Sequence, residues 1–180
     1  MAEIVSADDM REPIIRRKSL SASNDGSMMA VLDFGEYGDF VTDEPIAHGG
    51  TGEGPSPLQT VLGALCGCES VTFNRTSKDM GFSYEGIDFE AAFTIDIRGR
   101  LGMREVRPHF QTVKLQATVR TNESEERLAQ VVEETERRCP VFNLLVDAGV
   151  TLEVLWVRQP LTPKAPAGSE NQALEGDRDE

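Results

Sequence analysis

Two stretches of strict two-residue alternation constrain this chain more than anything else in it. Ile87, Phe89, Ala91, Phe93, Ile95 and Ile97 alternate with Asp88, Glu90, Ala92, Thr94, Asp96 and Arg98. Val113, Leu115, Ala117 and Val119 alternate in the same way with Lys114, Gln116, Thr118 and Arg120. Successive side chains of a strand point to opposite faces, so each stretch predicts an antiparallel strand with one buried and one wet face. The connection Gly99 to Pro108 suits an extended hairpin loop.

A half-buried sheet needs a cover, and helical spacing elsewhere supplies one. Ser56 is a favoured N-cap, and Pro57 at the first helical position gives up an N–H that would be unpaired anyway. Leu58, Val61, Leu62, Leu65, Thr72 and Phe73 then recur at helical spacing, and Gly81 is placed to end the helix. Asn122, with Glu125 three residues on, reads as a capping box opening a second helix through Leu128, Val131 and Val132 to about Arg138. Cys139-Pro140 breaks it, because a residue before proline avoids the α region. A short helix restarts at Pro140 and runs through Val141, Leu144 and Leu145 to Gly149. Val150, Leu152, Val154 and Trp156 alternate as a last strand. Upstream, Met28 to Phe34 and Gly38 to Thr42 read as a hairpin turning at Gly35, Glu36 and Tyr37. The order is ββ-α-ββ-α-α-β, an α+β domain with one main antiparallel sheet.

The folded domain is expected over residues 28–159. Residues 1–27 are polar and aperiodic, a mobile arm or a first irregular element, and residues 160–180 form an acidic, proline-containing tail too poor in apolar residues to pack. Over the 180 residues, 18 Lys and Arg face 31 Asp and Glu, for a formal net charge of −13. That argues against the basic stripe of a nucleic-acid binder and equally against docking on an anionic membrane. No run approaches the ~18 apolar residues of a spanning helix, and Met1 to Met10 lacks the layout of a signal peptide. A cytoplasmic protein is the expectation. The loop Asp43 to Ser56 is glycine-rich but lacks the Gly-Lys-Ser/Thr ending of a phosphate cradle, so no cofactor is expected there.

Three cysteines without an export signal do not make a disulfide framework. Cys139 is placed at a helix N-cap, where the helix dipole favours thiolate, and Arg137 and Arg138 push the same way. The competing reading is a packed capping residue. Cys66 and Cys68 lie mid-helix and point about 200° apart, which argues against one metal held by Cys66, Cys68, Cys139 and His48 or His109. Gly63, Ala64 and Gly67 are small residues inside the same helix, which implies close approach by another helix or a ligand. Glu69 falls within the apolar stripe, an odd place for a carboxylate unless it is paired.

The run Gly54-Pro55-Ser56-Pro57-Leu58-Gln59-Thr60-Val61-Leu62-Gly63-Ala64-Leu65-Cys66-Gly67-Cys68, followed about seventy residues later by Cys139-Pro140-Val141, resembles the OsmC/Ohr family of osmotically inducible and organic hydroperoxide resistance proteins. Asp43-Glu44-Pro45 before Gly49-Gly50 is similar to one branch of it. The resemblance spans Met28 to about Arg158. It implies an intertwined homodimer with sites where central helices meet. It also implies a thiol peroxidase in which Cys68 attacks an organic hydroperoxide and becomes a sulfenic acid, Cys139 condenses with it to a disulfide, and a dithiol reductant reopens the bond.

The chain departs from that pattern in two places. Family peroxidases pair the first cysteine with an arginine from an N-terminal strand and a glutamate early in the central helix. No Arg lies between Lys18 and Asn74, which leaves Arg16 or Arg17 on an arm that folds back, and Leu58-Gln59 stands where some members have Glu. Gln59 and Glu69 are therefore the candidate supporting residues, with Glu69 either a replacement group or a dimer contact. The alternative function is a non-peroxidatic relative that binds a small apolar ligand at the dimer seam or acts as a redox sensor.

Overall fold

The computed structural model describes residues 13–162, and these divide between residues 63 and 64 into two compact units. In the first unit, β1 (Ser21–Ser23), β2 (Ala30–Asp33) and β3 (Asp39–Thr42) form an antiparallel sheet in that order. The β2–β3 hairpin turns through Gly35–Tyr37, as expected, with the Gly35 amide donating to Asp33 Oδ1 at 2.7 Å. β1 lies in the stretch expected to be aperiodic. Ser-Ala-Ser carries no apolar alternation, and turn chemistry sets the strand instead. Asn24 Nδ2 donates to the Ser27 and Met29 carbonyls at 2.8 and 2.6 Å, and its Oδ1 accepts from the Gly26 amide, folding the chain back onto β2. Residues 1–12 of the expected arm, and the tail from residue 163, lie outside the described residues.

After β3 the loop closes around Asp43. Its buried carboxylate accepts from the amides of Glu44, Thr51 and Glu53 and from the Thr51 hydroxyl. These bonds, the Thr51 hydroxyl first, hold the carboxyl well below the usual range. The loop amides that would have bound a phosphate are thus committed to an internal anion, which also repels a second one. Gly50 is required here, because a Cβ would sit 1.8 Å from the Glu44 carbonyl oxygen.

α1 (Pro57–Met80) begins in the first unit and continues into the second. Ser56 and Gln59 form a reciprocal capping box. The Gln59 amide donates to Ser56 Oγ at 3.3 Å, and Gln59 Oε1 accepts from the Ser56 amide at 2.9 Å. The helix ends at Gly81, whose φ of 64° is costly for any residue with a Cβ.

The second unit continues with β4 (Gly86–Ile95), α2 (Ile97–Arg100), β5 (Phe110–Arg120), α3 (Glu125–Arg138), α4 (Pro140–Asp147) and β6 (Thr151–Gln159). β4 and β5 pair antiparallel, with Phe89 opposite Ala117 and Phe93 opposite Val113. β6 pairs parallel to β5, with Leu115 opposite Val154 and Ala117 opposite Trp156. The α+β class holds; the expected main antiparallel sheet is mixed, because β6 runs parallel to β5, and the upstream hairpin joins β1 in a second three-stranded sheet. The helical crossover α3–α4 returns the chain to the start of the sheet, so β6 must run the same way as β5.

Two boundaries differ from the sequence expectation. β4 stops before Ile97, because Asp96 Oδ1 accepts the Arg98 amide and opens the turn of α2. α3 is capped by Ser124, whose Oγ accepts the Arg127 amide, rather than by Asn122. Asn122 Oδ1 instead accepts from the Leu161 amide at 3.1 Å.

The core of this unit is aromatic. Phe73 from α1, fully buried, stacks on Trp156 of β6 with centroids 5.3 Å apart and meets Tyr84 and Phe82 edge-on at 5.0 and 5.9 Å. Val119, Leu128 and Val131 close the cluster. Arg127 reaches across to the Met80 carbonyl, and Arg138 to Asp79, tying α3 to the end of α1. Among the described residues no helix is long and apolar enough to cross a membrane.

Candidate functional site

The buried face of α1 fixes where its thiols go. Leu62, Leu65, Glu69, Thr72, Phe73, Thr76 and Ser77 are buried at helical spacing. Cys68 lies one step from Glu69 at the edge of that stripe and is partly exposed. Cys139 is brought to the same place by the break between α3 and α4. Its amide still donates to the Thr135 carbonyl at 2.9 Å and so ends α3, while its own carbonyl accepts from Asn143 and so starts α4. Asn143 Nδ2 clamps the junction, donating to the Glu136 and Cys139 carbonyls at 2.9 and 2.8 Å.

Cys139 Sγ, fully buried, thus neighbours the Cys68 thiol and the Glu69 carboxyl. Of the two readings of Cys139, an ionised N-cap thiol and a packed capping residue, its burial favours the packed one. Burial is the largest influence and raises its pKa far above that of a free thiol. The Phe142 amide at the start of α4 pulls it down, but the Cys68 thiol and the Glu69 charge push it further up. Arg137 and Arg138 do not help, because their guanidinium groups are held by Glu134 and, for Arg138, also by Asp79. A single short helix start is outweighed by complete desolvation of the sulfur.

Glu69 is the least expected member. It is fully buried, and among the described residues neither carboxyl oxygen has a hydrogen-bond partner of ordinary geometry. Burial raises its pKa from 4.5 to about 7. The Cys139 thiol it faces favours the carboxylate, and the charge of Glu136 disfavours it. Glu136 is itself oriented by Trp156, whose Nε1 donates to Oε1 at 3.0 Å. Cys66, on another side of α1, is partly buried, and its pKa is raised by that burial and by the Glu69 charge.

Three of the residues singled out in the sequence, Cys68, Glu69 and Cys139, are therefore neighbours. Gln59 is exposed and engaged in the capping box of α1. Arg16 and Arg17 are exposed in the segment before β1. Glu136, Asn143 and Trp156 were not foreseen as part of this neighbourhood. Trp156 was legible only as a strand residue, and nothing in the sequence marks an Asn one turn after a Cys-Pro break.

The chemistry open to this cluster is that of two neighbouring thiols, with a carboxyl group beside the inner one whose pKa burial raises to about 7. A family model described as OsmC-like protein matches residues 50–155, which contain all three residues. No curated protein matches the sequence. Among solved structures, an OsmC-like protein from Mycoplasma pneumoniae matches with a TM-score of 0.68 at 15% identity, covering 83% of this chain and 100% of that one. An organic hydroperoxide resistance protein from Elizabethkingia anophelis matches at 0.63 and 14%, covering 81% and 100%. Another, an OsmC from Legionella pneumophila, matches at 0.61 and 16%, covering 79% and 99%. The fold, the helix that carries Cys68, and a family match over more than half its length together establish that the chain belongs to the OsmC-like protein family.

Proposed function

We propose that this protein reduces organic hydroperoxides with its two neighbouring thiols. The Cys68 thiolate attacks the distal peroxide oxygen, the O–O bond breaks, and the alkoxide leaves and is protonated to the alcohol. Cys68 is left as a sulfenic acid. Cys139 then condenses with it to a disulfide with loss of water, and a dithiol reductant restores both thiols. The observation that carries this reading is the pairing itself. Two cysteines about seventy residues apart in sequence are neighbours, the outer one partly exposed and the inner one buried. An attacking thiol must meet its substrate, whereas a resolving thiol is better shielded from it. Two structural neighbours are organic hydroperoxide resistance proteins by name.

The working form in this proposal is a homodimer in a reducing cytoplasm. Val61 and Val71 on α1 are exposed beside Gly63, Ala64 and Gly67, and a Cβ built at either glycine meets nothing within 4 Å. That is an open, shallow face of the kind a second helix approaches closely. The test is loss of cumene hydroperoxide in excess dithiol, comparing the intact chain with Cys68→Ser. Turnover that disappears with Cys68 is expected. A folded, fully reduced protein without turnover would overturn the proposal.

A further inference from the structure

Glu69 has no evident structural reason to be where it is. A carboxyl group without hydrogen bonds in a protein interior is destabilising, and an apolar residue would fill the same stripe of α1 at no such cost. Both of its oxygens are buried and unpartnered, and the polar side chain it faces is the Cys139 thiol. Among the described residues, the charged group bearing on it is Glu136 of α3, whose Oε1 is engaged by Trp156 of β6. On its own helix, Cys66 and Cys68 are the neighbouring titratable groups.

Cys139 meanwhile has a problem that its surroundings do not otherwise solve. The thiolate, not the thiol, attacks a sulfenic sulfur, yet complete burial keeps Cys139 protonated. Neither Arg137 nor Arg138 is free to stabilise the anion, each being held by carboxylates. The resolving cysteine therefore needs a base at the moment of attack, and among the described residues the carboxyl group that faces it is Glu69.

We infer that Glu69 is the proton-transfer residue of the resolving step, acting as base on Cys139 and then as acid on the departing oxygen. The inference rests on the peroxidase reading above and specifies its second half. In the step, the Glu69 carboxylate takes the Cys139 proton as Cys139 Sγ forms its bond to Cys68 Sγ. The Cys68 S–O bond breaks, and the leaving hydroxide takes the proton from Glu69 and departs as water. Thiol and sulfenic acid become disulfide and water. The only oxidant is the hydroperoxide already consumed in forming the sulfenic acid, and Glu69 ends as the carboxylate it began as. General acid–base catalysis is most effective when the group titrates near the working pH, and burial brings Glu69 there.

The test separates resolution from peroxide reduction. Reduced full-length protein is given one equivalent of cumene hydroperoxide in the presence of dimedone, without dithiol. The ratio of dimedone-tagged Cys68 to Cys68–Cys139 disulfide is then read by mass spectrometry from pH 5.5 to 8.5. Because both products form from the same sulfenic acid, the ratio does not depend on how fast that acid forms. In the parent, resolution should gain on trapping as pH rises through about 7, where Glu69 becomes the carboxylate. In Glu69→Gln the ratio at pH 8 should move toward the tagged form by roughly a hundredfold, the low end for a positioned acid–base group, and the inflection should vanish. Glu69→Asp should restore part of the inflection, which a merely structural role would not do. Equal ratios in parent and Glu69→Gln at every pH, or a parent profile without the inflection, would overturn the inference while leaving the peroxidase reading intact. Neither tag nor disulfide on the parent would overturn the peroxidase reading itself.

Discussion

Replacing Glu69 by Gln should make this protein more stable at pH 8 and leave it nearly unchanged at pH 4.5. Glu69 is fully buried, and its pKa rises on folding from 4.5 to about 7. A folded-state pKa above the unfolded value means that the native protein holds a proton over a range where the unfolded chain has released it. Stability is then fully present below about pH 4.5 and is lost as pH rises through about 7. At about 1.4 kcal/mol for each tenfold change in proton affinity, the loss reaches about 3 kcal/mol. Gln is close in shape to the protonated acid and does not titrate, so Glu69→Gln escapes the loss. Other ionisable groups are common to both proteins and cancel in the difference. The assay is urea unfolding at one protein concentration across pH 4.5 to 8. With a slope of roughly 2 kcal/mol per molar urea, the variant's midpoint should exceed the parent's by roughly 1.5 M at pH 8 and match it at the acid end. Midpoint curves that run parallel across this range would show that Glu69 is paired or hydrated, and would refute the reasoning.

Three further outcomes follow from the packing and the caps. Phe73→Ala should cost about 3–5 kcal/mol in urea unfolding, because the ring is fully buried among Trp156, Tyr84 and Phe82 and its removal leaves a cavity. Ser56→Ala should cost about 1 kcal/mol, read the same way, by removing the Oγ that caps the Gln59 amide. In native protein at pH 8, iodoacetamide should alkylate partly exposed Cys68 well before buried Cys139, and the two should react alike only in denaturant. Equal native rates, measured by peptide mass, would contradict the depth assigned to Cys139.

Much of the fold was legible because period and punctuation agreed. The alternation of β4 and β5, the Ser56-Pro57 start and Gly81 end of α1, and the Cys139-Pro140 break all appear where local chemistry places them. What was hidden depended on distant partners. The pairing of β1 with β2 is made by backbone groups and an Asn24 turn, which leave no apolar pattern. The parallel direction of β6 follows from the crossover, and alternation is the same in either direction. At the site, Cys68 and Cys139 were visible as motifs and Glu69 as an anomaly in an apolar stripe. The sign of the Cys139 shift was not. A helix N-cap read from sequence suggests a thiolate, but only the packed structure shows that burial dominates. Gln59 reads from sequence as a possible supporting residue, and the structure shows its side chain engaged in the Ser56 cap.

The measurement that bears most directly on the central claim is the map of thiols after one equivalent of cumene hydroperoxide is added to the reduced protein. Tryptic peptides joined by a Cys68–Cys139 disulfide, with Cys66 still alkylatable, are the predicted result. A disulfide through Cys66, or three unmodified thiols with the hydroperoxide untouched, would contradict the account.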